Sequence, residues 1–160
     1  MDRGGALVTR ALRAGDFDDA RRVAEEWFGH PVGLTMHRLF FDQLGGSGVW
    51  IGTEDGVMVG VLLGLRSQPE PDLAYIHFHM VDPTWRGQGV GSRLYTTFFE
   101  RMAGLGCTRV RALAAPTRTA SIRFHEALGF SGRHQDGYLG PGEDRVIFER
   151  PIGERGDATA

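Results

Sequence analysis

The chain has 160 residues, 18 basic against 20 acidic side chains, a formal net charge of −2, one cysteine and 24 glycines. That length suits a single domain with a real core, and the nearly balanced charge excludes a general nucleic-acid or membrane-surface binder. The lone Cys107 excludes an intramolecular disulfide and a cysteine metal site, and reads as a small buried hydrophobe.

Met1-Asp2-Arg3-Gly4-Gly5 lacks an apolar signal core, and no apolar run approaches a membrane span, so the protein is expected in the cytoplasm with no membrane partner. Leu7–Leu12 reads as a first strand. Asp16 is placed as a helix N-cap, with Asp19 three positions on and an apolar stripe of Phe17, Ala20, Val23, Ala24 and Trp27. Gly29 ends that helix. A second helix is predicted over Thr35–Leu44, carrying Met36, Leu39, Phe40 and Phe41. Val49–Glu54 and Val57–Leu65 read as strands joined at Asp55-Gly56, the signal of a type I′ hairpin turn. Another strand covers Leu73–Val81. Val90, Leu94, Phe98 and Met102 then recur at four-residue steps, one face of a helix that Gly104 and Gly106 stop. Arg109–Leu113 is the next strand. Pro116-Thr117 opens a helix that turns Ala120, Phe124, Ala127 and Leu128 inward and stops at Gly129. Phe130 starts a short strand, and Arg145–Phe148 is the last one. Residues 1–152 read as a single domain and 153–160 as a polar, frayed tail.

The informative stretch is Val81-Asp82-Pro83-Thr84-Trp85-Arg86-Gly87-Gln88-Gly89-Val90-Gly91-Ser92. A strand feeding a glycine-rich turn that opens a helix makes an anion cradle, because N–H groups of the first helical turn point outward and the dipole adds positive charge there. A P-loop needs a lysine, and the 18 basic residues here are all Arg. A dinucleotide fingerprint needs Gly-x-Gly-x-x-Gly and a carboxylate after the next strand. Here the glycines run Gly87-x-Gly89-x-Gly91, and that strand ends in Leu113-Ala114-Ala115-Pro116. A third signature, the Arg/Gln-x-x-Gly-x-Gly/Ala motif that binds the pyrophosphate of coenzyme A, is the one that Arg86-Gly87-Gln88-Gly89-Val90-Gly91 resembles. With Val81-Asp82-Pro83 before it and Phe124-His125-Glu126-Ala127-Leu128-Gly129-Phe130 after it, the sequence resembles the GNAT superfamily of N-acetyltransferases.

That resemblance covers most of residues 7–150. It implies an α+β fold with a mixed sheet in the order β-α-α-β-β-β-α-β-α-β-β, and direct transfer of an acetyl group from acetyl-CoA to a primary amine of a small molecule or a protein. No metal is expected, and the chain is expected to be a monomer or homodimer. The resemblance further implies that His79, Met80 and Val81 offer backbone groups to the pantetheine arm and the thioester, while Arg86, Gly87, Gln88, Gly89, Val90, Gly91 and Ser92 hold the pyrophosphate. His125 stands where relatives usually carry a tyrosine that protonates the leaving thiolate. It can do so itself, or it packs against the pantetheine arm or donates to a carbonyl. Arg118 stands where relatives usually carry a cofactor-binding asparagine, and it reaches a CoA phosphate or points to solvent. Tyr75 sits near the place of the usual glutamate base. Period-two geometry puts Tyr75, His77 and His79 on one face, making His77 and His79 candidate bases, or histidines that merely cover the sheet. The acceptor site is expected around Trp27, Phe28, His30, His37, Phe40 and Phe41, then Tyr138, Glu143 and Asp144. The competing reading from another class is a non-catalytic acyl-CoA sensor or partner domain.

Overall fold

A computed structural model describes residues 5–153. It contains β1 (Leu7–Ala11), α1 (Asp16–Phe28), α2 (Arg38–Leu44), β2 (Val49–Thr53), β3 (Met58–Arg66), β4 (Leu73–Val81), α3 (Val90–Gly104), β5 (Arg109–Ala114), α4 (Thr119–Ala127), β6 (Ser131–Gln135) and β7 (Arg145–Pro151). The strands form one sheet in the order β1-β2-β3-β4-β5-β7-β6. This is the mixed α+β arrangement expected from the sequence. The tail residues 154–160 lie outside the described residues.

The chain divides into two compact units, one drawing on residues up to Leu65 and on His77–Arg101, the other on Arg66–Ile76 and residues from Met102 onward. In the first, β1 pairs antiparallel with β2, and β2 antiparallel with β3, with a register shift between Ile51 and Gly52. The core gathers Ala20, Ala24 and Trp27 of α1, Phe41 of α2, and Trp50, Val61, Leu63, Phe78 and Met80 of the strands. Fully burying a side chain of that size contributes roughly 1.5–3 kcal/mol. In the second unit, β4 pairs parallel with β5 from Leu73↔Arg109 to Ile76↔Ala112, and β7 lies antiparallel to both β5 and β6. Arg109 there bonds Glu70, Asp72 and Glu149. Buried Cys107 places its thiol 3.7 Å from the Pro71 carbonyl, and burial pushes that thiol up from its ordinary pKa.

Four local expectations are corrected. Gly15, not Asp16, is the N-cap of α1. The Asp16 carboxylate instead reaches backward, accepting from the Arg13 N–H at 2.7 Å and from both terminal nitrogens of Arg10 at 2.9 Å. The second helix begins at Arg38 rather than Thr35, because His37 caps it by accepting the Leu39 N–H at 3.0 Å while Gly33–Thr35 forms a separate 3-10 turn. The β2–β3 hairpin exists, but its turn is not type I′. That turn needs positive φ at both central residues, and only Gly56 has it, at 88°. Finally, α4 does not bury Ala120, Phe124, Ala127 and Leu128. Ala120 and Ala127 are exposed, Phe124 and Leu128 half-buried, and the one fully buried residue of the helix is His125.

Candidate functional site

At the end of β4, the Asp82 N–H donates to the Val59 carbonyl of β3 at 2.8 Å, and its carboxylate accepts from both the backbone and the hydroxyl of Thr84. This holds the turn Pro83–Trp85 at a fixed exit from the sheet. Gly87 and Gly89 follow with φ of 73° and 82°. A Cβ at either position would meet nothing within 4 Å, so backbone conformation rather than crowding demands glycine. The Arg93 N–H donates to the Gly89 carbonyl at 3.0 Å, the opening bond of α3. The N–H groups of Val90, Gly91 and Ser92 therefore belong to the first turn, where helix geometry offers no acceptor inside the helix. Gly87, Gln88, Gly89 and Ser92 are exposed. An exposed, glycine-lined turn capped by a helix start and free of carboxylates from Thr84 to Arg93 suits a pyrophosphate.

The Arg86 side chain has a partner that spacing in the sequence did not suggest. Its guanidinium donates to the Trp27 carbonyl in the last turn of α1, and so ties the cradle to that helix. Gln88 makes a lighter contact, donating to the Thr84 carbonyl at 3.2 Å.

On β4, Tyr75, His77, His79 and Val81 are half-buried while Ile76, Phe78 and Met80 are buried, the period-two alternation expected of the strand. His77 donates from Nε2 to the Thr35 carbonyl at 3.1 Å, since a carbonyl can only accept. Phe40 lies against its ring at 4.5 Å. Burial holds His77 below its ordinary pKa against the opposing effect of the carbonyl, so it is neutral near pH 7 with its lone pair on Nδ1. His79 places Nδ1 2.9 Å from the hydroxyl of Tyr95, a buried residue of α3, with the two rings edge-on at 5.0 Å. Sequence reasoning missed Tyr95. It sits beside Leu94 of the apolar stripe, and nothing in the pattern links it to a residue 16 positions earlier.

In the second unit, His125 is 2% exposed. Nδ1 donates to the Ser121 carbonyl at 2.7 Å, one helical turn back, and the ring stacks on Phe148 with centroids 4.6 Å apart and planes 9° from parallel. Phe130 meets it edge-on at 5.2 Å. Burial lowers its pKa more than the carbonyl raises it. Of the alternatives open to it in the sequence, this geometry displays donation to a carbonyl, and the ring packs on Phe148. Arg118 is exposed at the N-cap position of α4 and makes no capping bond with its side chain.

The expected acceptor residues separate by burial. Trp27 and Phe41 belong to the core of the first unit, whereas Phe28, His30 and Phe40 are half-buried and His37 is exposed. On the β6–β7 side, Tyr138 and Glu143 are exposed. Asp144 instead accepts from the Gly137 N–H at 2.8 Å and from His134, contacts that hold its carboxyl below the usual range.

The Acetyltransferase (GNAT) family model matches residues 17–130. An L-2,4-diaminobutyric acid acetyltransferase from Nocardia farcinica is 27% identical over 127 residues, which span 79% of this chain and 66% of that protein. Among solved structures, Ard1 from Thermoplasma volcanium superposes with a TM-score of 0.79 at 21% identity, covering 93% of this chain and 99% of that one. The diaminobutyrate acetyltransferase EctA from Paenibacillus lautus, determined with L-2,4-diaminobutyric acid and coenzyme A, gives 0.74 at 21% identity, with coverage of 94% and 96%.

Proposed function

The chain belongs to the GNAT family of acetyltransferases, and from that premise we propose that it transfers an acetyl group from acetyl-CoA directly to a primary amine of a small molecule or a protein. The observation that carries the reading is the turn at Gly87 and Gly89, whose left-handed backbone presents the start of α3 as an anion cradle beside the end of β4. Acetyl-CoA supplies the acetyl group as an activated thioester. The backbone N–H groups from Gly87 to Ser92 hold its pyrophosphate, and Arg86 braces the turn against α1. His79, Met80 and Val81 line its arm with β4 backbone.

The acceptor enters as an ammonium ion and must lose a proton before its nitrogen can attack. His77 and His79 stand on the half-buried face of β4 where that proton is removed. His125 acts in this reading as a neutral wall of the second unit, locked by the Ser121 carbonyl and Phe148. The half-buried Phe28, His30 and Phe40 receive the acceptor.

The test is free-thiol release from acetyl-CoA across a panel of small primary amines, diamines, amino acids and peptides with free amino groups. Turnover on at least one class is expected. Tight acetyl-CoA binding with no thiol released on any member would overturn the reading in favour of a non-catalytic acyl-CoA sensor.

A further inference from the structure

We propose that Arg86 is a positioning residue that couples the two ends of the site: its guanidinium caps α1 from the cradle side, so that acetyl-CoA bound at Gly87–Ser92 steadies the Phe28–His30 segment for the acceptor. The inference rests on the cradle reading and on the acceptor lying at Phe28 and His30, and it assigns what links the two.

Geometry carries it. The last four carbonyls of a helix have no partner within it. At the end of α1, the Gly29 N–H donates to the Glu25 carbonyl at 2.9 Å, and the Arg86 guanidinium donates to that of Trp27 from 59 positions away. The direction of the second bond is fixed, because a guanidinium only donates and a carbonyl only accepts. α1 brings no basic residue to its last turn, which instead holds Glu25 and Glu26. A cation is favourable at that negative end, and Arg86 supplies it from outside the helix. Both ends of the tether are set. Trp27 is 8% exposed in the core of the first unit, and Arg86 adjoins Gly87, whose φ of 73° opens the turn. On the strand side, the Asp82 N–H fixes the exit to the Val59 carbonyl. The turn is thus held at two points. The second is a helix whose last residue, Phe28, meets Phe78 edge-on at 6.1 Å and the His30 ring at 5.7 Å. A guanidinium committed to Trp27 orders the turn that faces the pyrophosphate instead of neutralising the pyrophosphate itself.

Seating the pyrophosphate narrows the motion of the turn. Through the Arg86–Trp27 bond the same restriction reaches the end of α1, so the acceptor has less left to order when it binds. The coupling is reciprocal, and the acceptor tightens acetyl-CoA by the same factor.

Two measurements with CoA itself test this. The first is amide hydrogen exchange at Gly29, whose N–H bonds the Glu25 carbonyl at the end of α1. Saturating CoA should slow it about fivefold in the wild type, the low end of ordinary coupling factors, and leave it unchanged in Arg86→Ala. A purely structural cap predicts faster exchange in the variant with the CoA effect intact. The second is isothermal titration. Arg86→Ala should weaken CoA binding about fivefold, by the same factor at low and high salt. A guanidinium seated directly on an exposed phosphate predicts a loss that shrinks as salt rises. A CoA effect intact in Arg86→Ala, a loss that shrinks with salt, or wild-type Gly29 exchange indifferent to bound CoA each overturns the proposal and leaves the cradle standing. A wild-type protein that binds no CoA would overturn the cradle reading as well.

Discussion

Substituting Gly89 separates the two things the cradle must do, hold its shape and accept negative charge. At φ of 82° with no atom within 4 Å of a built Cβ, Gly89→Ala meets no clash and carries only the conformational penalty. A side chain in that region costs about 1–2 kcal/mol. If the turn must keep this shape to bind, CoA affinity falls roughly 5–30-fold. Asn and Asp tolerate the left-handed region better than Ala, and they have nearly the same size. The difference between Gly89→Asn and Gly89→Asp therefore isolates charge. One carboxylate about 5 Å from one phosphate charge is repelled by about 1 kcal/mol at the dielectric constant of water and about 3 kcal/mol at an effective value near 20. Gly89 is exposed, so the lower figure applies. With two phosphates, Gly89→Asp should bind CoA roughly 15–30-fold more weakly than Gly89→Asn. Isothermal titration of CoA into the three variants at two salt concentrations reads this directly, and the gap between Asp and Asn should shrink as salt rises. Equal affinities for Gly89→Asn and Gly89→Asp would refute the cradle as the pyrophosphate site.

Gly60→Ala puts a Cβ 3.0 Å from Val90 and 3.3 Å from Leu94, between β3 and the start of α3. Overpacking of this kind costs roughly 1–3 kcal/mol, so thermal unfolding should show Tm lowered by roughly 3–10 °C. Asp16→Ala leaves the Arg10 guanidinium, stacked 4.0 Å over Trp50, without its carboxylate and orphans the Arg13 N–H. Because the pair is partly exposed, at 24% and 12%, denaturant unfolding should give about 2 kcal/mol, below the 3–5 expected for a fully buried pair. His77 and His125 are both held below the ordinary histidine pKa near 6.5 by burial. The unfolded chain then binds protons that the folded one refuses. Their contribution to stability is complete above about pH 6.5 and is lost as pH falls below it. His125→Phe, which keeps the stack on Phe148 and gives up the Ser121 bond at a cost of about 1 kcal/mol, should flatten that acid-side fall in a urea-unfolding series. An unchanged slope would show that His125 does not titrate with unfolding.

Most of the element order was present in local chemistry. Apolar residues at helical spacing placed α1 and α3, alternation placed β4, and Gly29, Gly106 and Gly129 adopt the positive φ that a chain stop requires. The glycine turn between β4 and α3 was legible for the same reason: a strand end, two glycines and a helix start are consecutive in the chain, and their geometry follows from backbone sterics alone. The boundaries that moved did so where side chains outbid propensity locally, as when His37 capped α2 three residues late.

Tertiary structure decided what no window of sequence contains. Periodicity assigned the inner face of α4 to its alanines, Phe124 and Leu128, yet His125 is the residue buried there, because Phe148 of β7 and Phe130 offer it flat aromatic surface and the Ser121 carbonyl accepts its Nδ1–H. Arg86 found the Trp27 carbonyl 59 positions away, and Tyr95 found His79. Sequence by itself determined the backbone conformations and the kinds of group available, since those depend on neighbours in the chain. Which lone pair each histidine presents, and what each arginine holds, depended on partners brought in by packing, because a hydrogen bond is fixed by distance in space and not by spacing along the chain.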